Sequence, residues 1–264
     1  MGQETRFVGS IPRHYDQGLG PVLFDAYAEM MALRAAVYPV TEVLETAAGT
    51  GIMTRRLRDT LPASARLVAT DLNADMLAVA RAKFRPDESV VLHEADAMDL
   101  PYADGAFDAV VCQFGLMFFP NQIKAHREAR RVLKTGGHYY CSVWDSMDAN
   151  PYARRVSEML NRVFPNDPPS FLNIPFGFHA IDPIRSALHD AGFGEVAIEV
   201  LPRQTVFDRS FAEGVALGSP LADQIRARNV DPASLVDEID ALLEKDFASR
   251  AMPLRAIFFR AEAV

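Results

Sequence analysis

The stretch Val43-Leu44-Glu45-Thr46-Ala47-Ala48-Gly49-Thr50-Gly51 holds the most informative spacing in the chain. It reads as an apolar strand that breaks into a small-residue turn. Such a turn lets backbone N–H groups and the following helix N-terminus approach a ligand closely. Glycine turns after strands are common, so this one carries weight only with its neighbours. Asp71 ends the next apolar run, 20 residues after Gly51. A carboxylate there is placed to accept both hydroxyls of a ribose. Asp96, in Glu94-Ala95-Asp96-Ala97, follows the third run and can accept from an adenine amino group. Either acid taken singly is as readily a solvated loop residue. Three features after three successive strand ends point to an adenosine-bearing ligand.

Two ligands of that kind remain open, a dinucleotide and S-adenosylmethionine. The dinucleotide fingerprint is G-x-G-x-x-G, with a pyrophosphate over the helix N-terminus. Gly49 and Gly51 fit it, but Thr54 stands in the third position. Glu45 also precedes the turn. S-adenosylmethionine has no phosphate and carries a sulfonium and an amino group, charges that nearby acids suit. The corresponding reactions are hydride transfer with a nicotinamide cofactor and methyl transfer. A third reading is a catalytically silent module that keeps the cofactor pocket.

The elements that must hold these residues alternate. Strands are expected at 41–45, 66–70, 89–93, 107–113 and 138–144, with helices at 52–61, 73–84 and 120–133 between them. Asn73 is a candidate N-cap, and Gly136-Gly137 reads as the stop of the third helix. Strand–helix alternation predicts parallel pairing through right-handed crossovers, in strands apolar enough to be covered on both faces. Ligands then bind beyond the strands' carboxyl ends, where strand order reverses. Residues 1–13 read as a loose arm. A helix is expected within 14–38, starting near Pro21 because proline disrupts a helix interior. Helices are expected at 150–164, at 182–192 behind Asp182-Pro183, and through most of 211–250. The segment 165–181 reads as a loop, and 196–201 and 254–260 as the last two strands. The fold class is α/β: a Rossmann-like, doubly wound, mostly parallel seven-stranded sheet, with helical insertions forming a cap.

Composition sets the bounds. The 264 residues carry 27 Lys plus Arg and 35 Asp plus Glu, a net charge of −8, and 49% are apolar. That suits one globular domain and disfavours nucleic-acid partners, whose phosphates need Lys and Arg. Cys112 and Cys141 make neither a disulfide framework nor a zinc pattern. No His pair has ligand spacing, so no metal is expected. The chain shows no secretory signal at its start and no stretch long enough for membrane insertion, so the expected location is cytoplasmic.

On these residues the chain resembles the class I S-adenosylmethionine-dependent methyltransferases. It is similar to bacterial small-molecule enzymes related to the ubiquinone and menaquinone biosynthesis methyltransferases. The matching stretches are Val43–Thr54 (E-x-A-x-G-T-G-x-x-T), Thr70–Leu77, Ala95–Pro101, Phe107–Pro120 and Glu128–Gly137. They cover residues 40–145 strongly, and Tyr15-Asp16 with the helix after it moderately. Ala47 stands where many members have Gly, and Thr135 replaces the usual Pro before the double glycine.

The resemblance implies a single domain over 1–264. Within it, 1–40 would be a helical cover, 41–145 the cofactor-binding core, 146–181 and 205–252 a substrate-side cap, and 182–204 with 253–264 the rest of the sheet. It implies that backbone around Ala47, Gly49 and Gly51 holds the methionine part, and that Thr54 bonds its carboxylate. Asp71 would take the ribose, and Leu72 and Met76 would pack on adenine. Asp96 and the Ala97 N–H would read adenine. The Gln113 carbonyl would accept from the amino group, and Tyr15 would close over the cofactor.

Methyl transfer needs an acceptor aligned behind the methyl group and little else, so no catalytic residue need be visible. His14, Tyr15 and His179 are the candidates. After the fourth strand stands Gln113-Phe114-Gly115-Leu116, not the Asn/Asp-Pro-Pro-aromatic run of nucleic-acid base methylation or the acid cluster of metal-dependent catechol methylation. A small, partly apolar acceptor is expected, bound by a monomer or homodimer. Phe164, Phe171, Phe176, Phe178 and Phe211 are candidates to line its site, although ordinary core is the commoner role for each.

Overall fold

The computed structural model describes residues 6–264. Seven strands form one sheet in the order β3-β2-β1-β4-β5-β7-β6. They are β1 (Glu42–Thr46), β2 (Arg66–Asp71), β3 (Val90–Glu94), β4 (Phe107–Gln113), β5 (Leu133–Trp144), β6 (Phe193–Val206) and β7 (Ala251–Ala263). The first five pair in parallel, and β7 runs antiparallel to both β5 and β6. Strand order reverses between β1 and β4, so their carboxyl ends open a crevice there. The Rossmann-like, mostly parallel sheet expected from the alternation is therefore present.

The helices are α1 (Ile11–His14), α2 (Asp25–Ala35), α3 (Ile52–Thr60), α4 (Ala74–Arg81), α5 (Gln122–Val132), α6 (Pro151–Val163), α7 (Asn173–Gly177), α8 (Ile181–Asp190), α9 (Arg209–Leu217), α10 (Leu221–Arg226) and α11 (Val236–Asp246). Their ends follow local chemistry. Leu61, held extended by Pro62, stops α3. The Asn121 side chain accepts from the Lys124 N–H and starts α5. Three helices, α9 to α11, and two 3-10 turns lie between β6 and β7 as the expected insertion.

Several local expectations are corrected. The N-terminal helix does not begin near Pro21. It runs from Ile11 to Ala35, passing through Tyr15–Phe24 as wide π turns that contain Pro21. Proline lacks the N–H that an α turn needs, and i→i+5 turns absorb the gap. Side chains from the sheet bond two carbonyls of this segment. Gln113 Nε2 donates to Phe24 O at 3.1 Å, and Thr205 Oγ1 to Val22 O at 3.1 Å. The arm expected over 1–13 is shorter, since α1 begins at Ile11 and Phe7 is buried; residues 1–5 lie outside the described residues.

Gly136-Gly137 is not a helix stop. The chain passes from α5 straight into β5, and Gly136 (φ +78°) sits within that strand where its pairing with β4 shifts register. Asn73 does not cap α4 with its side chain, which donates to Asp71 instead. Asp182 is not an N-cap, because α8 already starts at Ile181, and it pairs with Arg185. The loop 165–181 contains α7. Burial on both faces fails at the sheet's edges: β3 is largely exposed, and β6 is only partly covered.

The core lies on both sides of the central strands. Val43, Leu44, Leu67, Val110 and Val111 are at most 1% exposed. Each such buried side chain contributes about 1.5–3 kcal/mol. Among the described residues no helix is long and apolar enough to cross a membrane.

Candidate functional site

A cavity of about 540 Å³ opens over the crevice between β1 and β4. Its floor is the turn after β1. Ala47, Gly49 and Gly51 all have positive φ, at +54°, +56° and +78°. That backbone holds the turn flat against the sheet, and Ala48 N–H donates to Thr70 O at 2.9 Å.

Asp71 forms one wall and is 7% exposed. Its Oδ2 accepts from Gly49 N–H at 2.8 Å, and its Oδ1 from Asn73 N–H at 2.8 Å and Asn73 Nδ2 at 3.2 Å. Burial pushes its pKa up, and these hydrogen bonds pull it back. The carboxylate is thus fixed in direction while its remaining lone pairs face the cavity. Asp96 is set in a similar way, with its Oδ1 accepting from Met98 N–H at 2.8 Å.

Glu45 lies beneath the floor, 1% exposed, with Oε2 lacking a hydrogen-bond partner. Burial raises its pKa to about 8. The nearby Thr54 hydroxyl favours the charged form slightly, yet falls short of hydrogen-bond geometry. A positive group bound over this floor would favour the charged form of Glu45, against the burial that raises its pKa.

The structure gathers Tyr15, Ala47, Gly49, Asp71, Leu72, Met76, Asp96, Ala97 and Gln113 around this one cavity. It does not bring Gly51, Thr54, His14 or His179 to it. Gly51 faces α4, where a Cβ would come within 2.9 Å of the Ala80 Cβ. Its lack of a side chain serves helix packing, not ligand approach. Thr54 is fully buried under the turn, outside the cavity lining. His179 is tied by Nδ1 to Phe176 O at 3.0 Å, outside the lining. His14 sits half-buried at the end of α1, also outside it. Of the five phenylalanines considered, Phe171 and Phe176 line the cavity, whereas Phe164, Phe178 and Phe211 do not. Phe211 packs against Tyr152 and Phe207.

The cavity also has walls that the strand-end reading missed. Phe114, with φ +52°, turns back at the end of β4 and stacks on Trp144 at 4.1 Å, the two planes 5° apart. Trp144 ends β5, so the same search of strand ends that found Asp71 and Gln113 reaches it. Gly115 must be small, since a Cβ there would lie 2.5 Å from the Ala47 Cβ and 2.9 Å from Cys112 Sγ. Tyr152 and Ser219 come from α6 and the α9–α10 junction, and nothing local in the sequence marks them.

The roof is built from distant segments. Tyr15, Leu19, Leu23 and Phe24 descend from the π turns, and Phe7 packs edge-on against Tyr15, Phe118 and Phe171. Gly9 N–H donates to Asp75 Oδ2 at 2.8 Å, and Lys83 pairs with Asp16, so α4 and the turn just after it hold this roof down. On the far side Gly18 meets Gly214 backbone to backbone, leaving no space for a side chain on either. Tyr15 lies over Asp71, and burial with those neighbouring charges drives its phenol pKa far up. It stays protonated and cannot serve as a base.

Comparison with known proteins gives these features a context. Residues 44–141 match a family model described as a methyltransferase domain. Demethylmenaquinone methyltransferase of Staphylococcus aureus (strain JH9) is 29% identical over 228 residues, covering 81% of this chain and 90% of its own. Among solved structures, the YcgJ protein of Bacillus subtilis superposes with a TM-score of 0.60 at 18% identity, over 90% of this chain and 98% of its own. Phosphoethanolamine N-methyltransferase 2 of Haemonchus contortus, in complex with S-adenosyl-L-methionine, gives 0.61 at 16% identity, over 98% of this chain and 58% of its own.

Proposed function

We propose that this chain, which is a class I S-adenosylmethionine-dependent methyltransferase with S-adenosylmethionine as its cofactor, moves the methyl group to a small, partly apolar acceptor held under the cap. The observation that carries this reading is the continuity of the cavity. One space joins the carboxyl rim of the sheet to a wall supplied by residues 151–219.

The residues present fit the cofactor. Asp71 receives the ribose hydroxyls with a carboxylate already oriented by Gly49 and Asn73. Asp96 and the Ala97 N–H meet the adenine edge, and Leu72 and Met76 cover its faces. Backbone of Ala47 and Gly49 holds the methionine part over buried Glu45, and the Gln113 carbonyl takes its amino group. Tyr15 closes the site from above.

When bound, the cofactor supplies an electrophilic methyl carbon on a positively charged sulfur. The accepting atom's lone pair forms the new bond to that carbon, and the carbon–sulfur pair returns to sulfur. The chain contributes alignment and exclusion of water, the terms that dominate a displacement between two held partners. Phe24, Phe114 and Trp144 line the same space, and an aromatic ring favours a cation that meets its free face. No imidazole lines the cavity among the described residues, and the two lining phenols are shifted up. The acceptor therefore brings a nucleophile that needs no protein base.

A partly apolar acceptor accords with the demethylmenaquinone in the name of the staphylococcal relative. The cytoplasm suits two buried, free thiols at Cys112 and Cys141. Calorimetry with S-adenosylmethionine and S-adenosylhomocysteine tests the reading. Saturable binding of both is expected, and absence of binding for either at millimolar concentration rejects it.

A further inference from the structure

A second cavity, of about 290 Å³, lies between the end of α2 and strands β5, β6 and β7. No residue lines both it and the cavity over the sheet's carboxyl rim. Met31, Val37 and Phe258 give it an apolar wall, against which hydrocarbon would pack. Its polar groups divide into a satisfied pair and an unsatisfied one. Arg34 clamps Glu199 through both carboxylate oxygens, at 2.8 and 2.7 Å, so each neutralises the other. Arg260 is half-buried and makes no ion pair among the described residues; its Nη1 donates to the Tyr38 hydroxyl at 2.6 Å. Tyr140 faces Arg260 in the β5–β7 register and is 2% exposed, and its hydroxyl has no hydrogen-bond partner. Burial pushes that phenol's pKa up to about 12, against the pull of Arg260, so it keeps a proton to donate.

A guanidinium without a carboxylate and a buried hydroxyl without an acceptor lack the same thing, an anionic oxygen. The planar fork of an arginine matches a carboxylate. Two acids limit the charge that can enter. Glu199 lies within electrostatic reach of Arg260, and Glu262, two positions on along β7, acts on His138. His138 stacks on Tyr38, and burial lowers its pKa, so it adds no positive charge near neutrality. A single negative charge therefore suits the pocket better than two. We propose that it is a second ligand site, for a small molecule with a short apolar body and one carboxylate, held by Arg260 and Tyr140. Tyr38, 39% exposed on the segment after α2, is the placeholder on Arg260 that the ligand displaces. The site stands apart from the methyl-transfer reading and does not depend on it.

Hexanoate, 1-hexanol and hexyl phosphate, equal in chain length, are titrated by calorimetry into the full chain at about pH 8, where the phosphate carries two charges. Hexanoate is expected to bind saturably, at least about tenfold tighter than hexanol, and tighter than the phosphate. Arg260→Gln should remove that tenfold preference and leave hexanol unchanged. Tyr140→Phe supplies a check that keeps every charge in place. It removes a buried hydroxyl that nothing satisfies, so the ligand-free protein should unfold at higher urea, while hexanoate binds about 3–10-fold weaker. A tyrosine with a merely structural role would not move the two in opposite directions. Hexanol binding as tightly as hexanoate, no saturation by hexanoate at tens of millimolar, or full hexanoate affinity in Arg260→Gln overturns the site. Tighter binding of the phosphate overturns the single charge, and full affinity in Tyr140→Phe overturns the part given to that hydroxyl.

Discussion

Gly49 and Asp71 are joined across the tips of β1 and β2 by a 2.8 Å hydrogen bond from the glycine N–H to Oδ2. The same carboxylate that we assign to the ribose also ties down the turn that we assign to the methionine part. The two halves of the cofactor site are one mechanical unit.

Asp71→Ala is therefore expected to weaken S-adenosylhomocysteine binding by about 1–3 kcal/mol through lost charge-assisted hydrogen bonds. A second, smaller loss should appear in the stability of the ligand-free protein, because the Gly49 N–H loses its acceptor. Calorimetry and urea unfolding separate the two. Undiminished affinity would place the ribose elsewhere.

Glu45 gives a pH signature. Its carboxyl normally titrates near 4.5 and is raised to about 8 by burial. The folded chain thus holds a proton that the unfolded chain releases between those values. Stability of the ligand-free protein should fall as pH rises from about 4.5 to 8, then level off. In Glu45→Gln that fall should flatten, as read from urea midpoints across the range. An identical slope in wild type and variant would show that Glu45 is not the group responsible.

His126 acts with the opposite sign. It is fully buried in α5, edge-on to Tyr139, with neither ring nitrogen hydrogen-bonded. Burial lowers its pKa to about 4 from the usual 6.5. The unfolded chain binds the proton first, so this contribution is complete above about pH 6.5 and is lost as pH falls toward 4. The loss is at most about 3 kcal/mol. His126→Leu should keep the packing, remove two unsatisfied polar atoms, and resist acid better in thermal unfolding at pH 5. A variant that unfolds earlier than wild type at pH 5 would contradict this.

Gly18→Ala tests how the roof is fastened. The new Cβ would lie 2.6 Å from the Gly214 Cα, with backbone on both sides and no flexible side chain to yield. Overpacking of this kind costs about 1–3 kcal/mol. Denaturant unfolding should show that loss. A substitution without effect would mean that the π turns and α9 do not rest on one another.

The sheet was legible because its signals are local. β1 to β4 are short runs punctuated by Pro, Gly or Asn, and Asp71 follows its run directly, whereas β5, β6 and β7 extend well past the apolar stretches that mark them. The walls were not. Phe114 faces Trp144 only because its backbone turns left-handed, and Tyr152 and Ser219 meet the cavity through packing between segments far apart in the chain. Thr54 misled for a related reason. The resemblance implies a ligand contact for it, but the first turn of α3 points it inward onto Glu45. Pro21 misled because proline ordinarily marks a helix start, and a wide-turned helix leaves no separate mark in composition.

Those wide turns settle where two rings end up. Tyr15 and Phe24 stack with centroids 4.9 Å apart, their planes inclined by 16°. They are nine positions apart, which in an ordinary α-helix is two and a half turns and puts them on opposite sides. Over i→i+5 turns the same count comes close to about two full rotations, and both rings hang from one side. Excising a single residue between Asp16 and Val22 would thus swing one ring outward without changing the chemistry of either, so the arithmetic of chain length governs this lid as much as the identity of its side chains.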